Sequence, residues 1–307
     1  MDQKTAEEFE KIGYRLVGKN KHSAVKVCTW AKHSMSDKKR IGGYENYCYK
    51  QKFYGIKSHR CVQMSPAVPF CTERCEFCWR PRSVTAPKWI NGVDEPAEIL
   101  DGCIAQQVEL LQGFRSIADS KKMHEAENPR HVAISLDGEP LLYPKINGLI
   151  EEIARRKMTS FLVSNGTVPE ALQQLVEPTQ LYITLAAPDK DVFEKTCRPL
   201  ISNVWEKLNE SLLLLNNFSC NTVIRLTLVR DLNMVHAEKY AKIIEKSNPK
   251  YVEVKAFMSI GHARERLPYS AMPRHDEIKE FAQRIADESG YKVRDEKVDS
   301  RVVLLER

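Results

Sequence analysis

The chain lacks long apolar runs. No uninterrupted aliphatic run exceeds four residues, as at 212–215, whereas a helix that spans a bilayer needs roughly 20 apolar residues. The first residues, MDQKTAEEFEKIGY, are charged throughout and contain no apolar stretch of the kind found in secretory signals. We therefore expect no membrane segment and a cytoplasmic location.

Glycine is also scarce, at 13 of 307 residues, and there is no proline-rich linker, low-complexity tract or internal repeat. With 42% hydrophobic and 29% charged residues the chain has the composition of a globular protein, so disorder is not expected. The length allows one barrel-sized domain with an appendage, or two ordinary domains.

Several common catalytic motifs are missing. The sequence has no phosphate-binding glycine loop, no HExxH and no G-x-S-x-G, which argues against nucleoside triphosphatases, zinc proteases and serine hydrolases. The net charge of +6 and the pI near 8.7 are mild for a nucleic-acid-binding protein. Charge alone therefore decides no function.

Short β-branched or apolar runs alternate with segments of helical periodicity along the middle of the chain. Strand followed by helix, repeated, predicts a parallel sheet with right-handed crossovers, as in a doubly wound sheet or a barrel. The 50 residues 258–307 are too few for the two further units of a complete eightfold barrel. We therefore predict an α/β fold, an open and incomplete TIM-like (β/α)6 barrel, with strands at 65–70, 131–136, 160–164, 181–185, 223–229 and 251–257.

The two ends of the chain differ from this pattern. Residues 1–60 begin with a short amphipathic helix and continue into a polar, basic stretch, SDKKRIGGYEN, without strand periodicity. We expect an N-terminal extension at 1–60 that packs on the sheet, a barrel domain at 61–290, and a C-terminal segment at 291–307 that adds an edge strand.

Nine cysteines in a chain expected to be cytosolic favour metal or cluster ligation over disulfides. Cys71, Cys75 and Cys78 form a C-x3-C-x2-C motif in FCTERCEFCWR. Three thiolates on one short loop can hold three irons of a [4Fe-4S] cluster and leave the fourth iron open. A zinc site is the alternative, but zinc prefers four ligands on paired C-x2-C arms, and no nearby Cys or His completes such a set.

This motif, with Phe77 before its last cysteine, resembles the signature of the radical S-adenosylmethionine (SAM) superfamily. The resemblance implies that SAM binds the open iron and is cleaved to a 5′-deoxyadenosyl radical. It also implies two SAM-binding segments. Gly138 and Glu139 would meet the methionine amino group, with Asp137 where a second glycine is common, whereas Ser164 and Asn165 would contact the methionine carboxylate or the ribose. Taken singly, each segment is more typical of an ordinary turn, but together, at the C-terminal ends of successive strands, the two favour SAM binding.

Cys28, Cys48 and Cys61 form a second set, C-x19-C-x12-C, whose spacing alone fits three buried free thiols as well. The segments around them, HSAVKVCTW and NYCYKQKFYGIKSHRCVQMSPAV, resemble the archaeal single-domain form of the tRNA 4-demethylwyosine synthase family. So do SLDGEPLLYP, LYITLAAPD, VEVKAFMSIGHARERL and MPRHDEI. The resemblance implies a second [4Fe-4S] cluster on these three cysteines, Cys28 being the least certain ligand because KKRIGGYEN lengthens the first gap. Cys103, Cys197 and Cys220 are interpreted as small core or surface residues.

The resemblance further implies the reaction. Such an enzyme condenses N1-methylguanosine at position 37 of tRNA(Phe) with two carbons of pyruvate to give 4-demethylwyosine. Lys50, two residues after Cys48, is the best candidate for a Schiff base with pyruvate, and Lys52 is the second. The open iron of the second cluster could instead chelate pyruvate, and the sequence does not choose between the two.

The substrate guanosine must leave its stack to reach a buried site, so we expect a basic rim that binds tRNA phosphates. The candidate residues are Lys38, Lys39, Arg40, Arg264, Arg266 and Arg274. Because the flavodoxin-like domain of eukaryotic members is missing, an external flavodoxin or ferredoxin-like protein is expected to supply electrons. The rival hypotheses are a radical SAM enzyme that acts on a peptide or small molecule, and a non-catalytic RNA-binding protein with zinc or a cluster.

Overall fold

The computed structural model describes residues 1, 3–36, 38, 42–90 and 92–307. The chain divides into two compact units, a first unit of Met1–Phe70 with Trp89–Leu162 and a second unit of Cys71–Lys88 with Val163–Arg307. Within the described residues, no helix is both long enough and apolar enough to cross a bilayer.

The first unit contains antiparallel strands followed by parallel ones. Its strands follow the order β1-β2-β3-β4-β5, in which β2 is antiparallel to β1 and β3, while β3, β4 and β5 are parallel. The unit boundary falls within β5. The elements are α1 Gln3–Lys11, β1 Arg15–Val17, β2 Ser23–Val25, α2 Thr29–Ser34, α3 Tyr49–Tyr54, β3 Cys61–Ser65, α4 Pro96–Gln112, α5 Ser120–Ala126, β4 His131–Ile134, α6 Ile146–Arg155 and β5 Thr159–Ser164.

The second unit repeats strand and helix and ends in an antiparallel pair. Its strand order is β6-β7-β8-β10-β9, with β6, β7 and β8 parallel and both β10 pairings antiparallel. The elements are α7 Pro169–Gln173, β6 Gln180–Thr184, α8 Lys190–Cys197, α9 Val204–Leu214, β7 Asn221–Leu228, α10 Ala237–Ser247, β8 Tyr251–Ala256, α11 His275–Ser289, β9 Lys292–Lys297 and β10 Val302–Glu306.

The first predicted strand is placed wrongly. The prediction gave 65–70, whereas β3 ends at Ser65 and the following residues form a buried loop. Pro66 and Pro69 have no N–H to donate to a neighbouring strand, so the ladder stops there. The loop was mistaken for a strand because its apolar side chains are buried. The other five predicted strands overlap β4 to β8.

Three strands were not predicted. β1 and β2 lie within the N-terminal 60 residues, and the C-terminal tail forms two strands, β9 and β10, instead of one. β9 is the edge strand, and β10 lies between it and β8. β1 and β2 have three residues each, and a period of two is hard to recognise over so short a run.

Candidate active site

The C-x3-C-x2-C motif forms a compact loop in the second unit. Cys71 is buried, and Cys75 and Cys78 are half-buried. The Cys71 N–H donates to the Ala86 carbonyl at 2.9 Å, and the Cys78 N–H donates to the Cys75 carbonyl at 3.2 Å, which closes a turn between the last two cysteines. The backbone thus holds the three thiols on one loop before any metal binds.

Contacts with distant parts of the second unit hold this loop in place. The ring of Phe77 packs against an apolar cluster that includes Phe257. The Arg266 guanidinium donates to the carbonyls of Glu76, at 3.1 Å, and Cys78. Arg266 was predicted to contact RNA phosphate, but its side chain is only 12% exposed and its donors are directed at the cysteine loop.

Ser164 and Asn165 lie at the carboxyl end of β5 and extend into the turn that follows. The Asn165 amide donates to the Cys71 sulfur at 3.7 Å and to the Thr72 hydroxyl at 2.9 Å, while its oxygen accepts the Thr167 N–H at 3.1 Å. The Ser164 hydroxyl accepts the Gly166 N–H at 2.9 Å. Asn165 is therefore oriented beside the first cluster cysteine. Thr72, which accepts the hydrogen bond of the Asn165 amide, was not predicted as a site residue. Its position directly after Cys71 is the only sign of this role in the sequence.

Gly138 and Glu139 form a tight turn in the first unit. Gly138 has φ +68°, and a Cβ there would lie 1.9 Å from the Ala67 carbonyl oxygen. The Glu139 N–H donates to the Phe70 carbonyl at 2.7 Å, and its carboxylate accepts the Leu141 N–H at 3.0 Å. The turn is therefore one that only glycine fits, because the backbone of Ala67 occupies the place of a Cβ and φ is positive.

Asp137, which stands where a second glycine is common in the superfamily, is also built into this turn. Its carboxylate accepts the Tyr14 hydroxyl at 3.0 Å and the Gly138 N–H at 2.8 Å, and its carbonyl accepts the Ser65 hydroxyl at 2.5 Å. The carboxylate therefore fastens the turn to Tyr14, near the start of the chain, and the Asp137 carbonyl fastens it to β3; neither contact was predicted from the sequence.

Gly138→Ala is expected to lower the free energy of unfolding by about 2 kcal/mol or more, because the added methyl meets a backbone oxygen and the residue keeps a positive φ. Urea unfolding of the SAM-free protein measures this. Gly113→Ala is the matched control, since Gly113 has φ −61° and open space around it. An equal effect of both substitutions would contradict the geometry of the turn.

The first unit brings the second cysteine set together. Cys28 immediately precedes α2, Cys48 immediately precedes α3, and Cys61 is the first residue of β3. Burial raises the pKa of the Cys61 thiol to about 12; the charge of Lys50 opposes this shift and those of Cys28 and Cys48 add to it. The three thiols and the Lys50 amine are therefore close enough to act on one another electrostatically.

Lys50 and Lys52 differ sharply in environment. Lys50 is 7% exposed, and its Nζ lies 5.0 Å from the centre of the Phe161 ring. Lys52, half a helical turn further on in α3, is exposed. Of the two predicted candidates, the structure places only Lys50 in the interior with the cysteines.

The donor sets fit clusters better than single ions. Among the described residues, the only three metal-binding side chains with ligand atoms all within 4.8 Å of one another are Glu73, Cys75 and Cys197. Neither predicted triad converges this closely, as a zinc site with Zn–S near about 2.3 Å would require. A four-iron cluster binds each thiolate to a different iron and so takes ligands spaced more widely. Bound iron would also supply the positive charge that ionises a buried thiol such as Cys61.

The predicted phosphate-binding residues differ in how exposed they are. Lys38 is exposed, and Lys39 and Arg40 lie outside the described residues. Arg264 is exposed and its Nε donates to the Ser259 carbonyl at 2.7 Å. The Arg274 side chain is 76% exposed at the start of α11. These side chains can reach a ligand in solution, unlike that of Arg266.

Comparisons with known proteins agree with this chemistry. Residues 65–244 match the radical SAM superfamily, and residues 246–307 match the family described as wyosine base formation. A SAM-dependent tRNA 4-demethylwyosine synthase from Pyrococcus horikoshii is 44% identical, over 100% of this chain and 90% of that protein. Its counterpart from Methanocaldococcus jannaschii is 36% identical, over 97% of this chain and 94% of that protein.

The structure is similar to a solved structure of TYW1 with a lysine–pyruvate adduct bound, with a TM-score of 0.87 and 35% identity over 100% of this chain and 96% of that one. The predicted fold class is confirmed as a radical SAM fold whose mixed α/β sheet does not close. Membership of this superfamily implies one [4Fe-4S] cluster and SAM. The chain therefore belongs to the family of SAM-dependent tRNA 4-demethylwyosine synthases, the radical SAM enzymes of wyosine biosynthesis.

Proposed function

We propose that this protein converts N1-methylguanosine at position 37 of tRNA(Phe) to 4-demethylwyosine, with pyruvate as the two-carbon donor. The observation that carries the proposal is the burial of Lys50 among the thiols of Cys28, Cys48 and Cys61. SAM cleavage does not require a buried amine beside a second set of cysteines, whereas such an amine can form a Schiff base with a carbonyl substrate. The related TYW1 structure with a lysine–pyruvate adduct supports the same chemistry.

Lys50 is the lysine that the proposal assigns to pyruvate. Among the described residues only Lys50 and Lys297 are buried lysines, and of these only Lys50 lies in α3, the helix that Cys48 precedes. The Lys50 amine would attack the keto carbon of pyruvate, a C–N bond would form, and the carbonyl oxygen would leave as water. Low-dielectric surroundings favour the neutral amine that this attack needs.

The remaining groups would prepare the substrate radical. Cys71, Cys75 and Cys78 would hold the radical SAM cluster, which when bound supplies the electron that cleaves SAM and so starts hydrogen abstraction from the N1-methyl group. Gly138 and Glu139 would bind the methionine amino group. Ser164 and Asn165 would bind the methionine carboxylate or the ribose. Cys28, Cys48 and Cys61 would hold a second [4Fe-4S] cluster.

The proposal also names the partners. The exposed cations of Lys38, Arg264 and Arg274 would contact phosphates of the anticodon stem-loop. Lys39 and Arg40, outside the described residues, would do the same, and a flavodoxin or ferredoxin-like protein would supply electrons. Since the substrate is tRNA, the reaction would take place in the cytoplasm.

Mass spectrometry of tRNA nucleosides tests the proposal directly. Reconstituted, reduced protein is incubated with SAM, pyruvate and tRNA that carries N1-methylguanosine. We expect 4-demethylwyosine to replace N1-methylguanosine. When all three carbons of pyruvate are isotopically labelled, the product should contain two labelled carbons. The reactions without pyruvate, without SAM, or with tRNA lacking the methyl group are the controls. Unchanged tRNA together with normal SAM cleavage would contradict the proposed substrate.

Salt dependence of tRNA binding tests the phosphate contacts. Arg264→Gln is expected to reduce the slope of log K against log salt by about one, because one phosphate contact releases about one counterion. Arg284→Gln, which removes an exposed charge from α11, is the matched control. Arg266→Gln should instead lower the iron content, since Arg266 binds the carbonyls of the cysteine loop. An unchanged slope in Arg264→Gln would remove that residue from the RNA surface.

A further inference from the structure

Cys197 lies directly opposite a cysteine of the radical SAM motif. An antiparallel bridge pairs Glu73 with Pro199, and the Glu76 N–H donates to the Thr196 carbonyl at 2.8 Å. Between these two contacts, the Arg74 N–H donates to the Cys197 carbonyl at 3.0 Å. Cys197, the last residue of α8, therefore lies beside the loop that carries Cys75.

The side chains meet as well as the backbones. The sulfur atoms of Cys75 and Cys197 lie within 4.8 Å of each other, together with a carboxylate oxygen of Glu73. A disulfide requires the two sulfur atoms to approach to about 2.05 Å, so they would move closer together on oxidation.

The other two cysteines of the motif contact different groups. Cys78 is linked to Cys75 through a backbone turn, in which the Cys78 N–H donates to the Cys75 carbonyl. Cys71 is directed at Asn165, whose amide lies 3.7 Å from its sulfur. Cys197 itself is 1% exposed, so reagents in solution reach it poorly and its neighbour Cys75 is its main reaction partner.

We propose that Cys75 and Cys197 form a reversible disulfide when the loop carries no cluster, so that the ligand thiol is kept in a form that reduction restores. With hydrogen peroxide as the oxidant, two S–H bonds and the peroxide O–O bond break. An S–S bond and two O–H bonds form, and two water molecules leave. Without Cys197, a cysteine sulfenic acid at Cys75 would instead be open to further and irreversible oxidation.

The test uses the full chain freed of iron by a chelator and treated with hydrogen peroxide, followed by denaturation, alkylation and peptide mass spectrometry. We expect a linked peptide pair that contains Cys75 and Cys197, lighter by two hydrogens than the reduced pair, and loss of alkylation at both residues. Cys71 and Cys78 should remain alkylated. A link between Cys75 and Cys71 or Cys78, with Cys197 still alkylated, would overturn the proposal.

A variant gives a second readout. In Cys197→Ser, peroxide should add two oxygen atoms to Cys75, and iron uptake after treatment with a thiol reductant should be lost, whereas the wild type regains its iron. Cys103→Ser is the matched control, because Cys103 is equally buried but lies in α4 of the first unit. Equal iron recovery in Cys197→Ser and wild type would overturn the protective role. These readouts need no tRNA, so they stand or fall separately from the proposed reaction.

Discussion

Cys71→Ala is expected to abolish formation of 5′-deoxyadenosine from SAM, even when no tRNA is present. Cys71 belongs to the loop that would leave one iron open for SAM, and two thiolates do not hold that cluster in place. Cys48→Ala should behave differently. Its thiol lies in the other cysteine set, so SAM should still be cleaved to 5′-deoxyadenosine. This cleavage should no longer lead to product, and 4-demethylwyosine should fall to background.

Iron analysis and chromatography of the products measure both effects. We expect about eight irons per chain in the wild type and about four in each variant. Cys220→Ser, at a half-buried cysteine outside both sets, is the control and should match the wild type. If Cys71→Ala and Cys48→Ala lost the same activities while each kept four irons, the division of labour between the two sets would be wrong.

Lys50→Ala is expected to lower formation of 4-demethylwyosine by about 10⁴-fold or more, because it removes the proposed nucleophile. Borohydride should trap a pyruvate-derived mass on the peptide that contains CYKQK in the wild type and none in Lys50→Ala. Lys50→Arg should be equally inactive, since a guanidinium stays protonated and cannot form a Schiff base. Lys52→Ala, at the exposed lysine of the same helix, is the matched control and should keep the adduct.

The alternative is that pyruvate binds the open iron of the second cluster. Pyruvate would then perturb the electron paramagnetic resonance spectrum of that cluster in wild type and Lys50→Ala alike, and borohydride would trap nothing in either protein. Partial activity of Lys50→Arg would point the same way, with Lys50 donating a hydrogen bond to the substrate carboxylate. These outcomes would overturn the Schiff base and leave the proposed product unaffected.

The sequence predicted the repeated β/α architecture because its signals are local. Runs such as 223–229 and 251–257 carry their burial pattern within a few residues, and β7 and β8 form there. The first strand failed because buried loops and buried strands have the same apolar composition. Here the prolines Pro66 and Pro69, which have no N–H to donate to a ladder, mark the end of the strand and the start of the buried loop.

Neighbouring residues alone were enough to predict the C-x3-C-x2-C loop, the alternation of strand and helix from β4 to β8, and the family. The tertiary structure alone decided which distant side chains meet. It brought Lys50 beside Cys61, turned Arg266 toward the carbonyl of Cys78, and set Cys197 opposite Cys75. Such contacts join chain segments far apart in sequence, so no local pattern of residues predicts them.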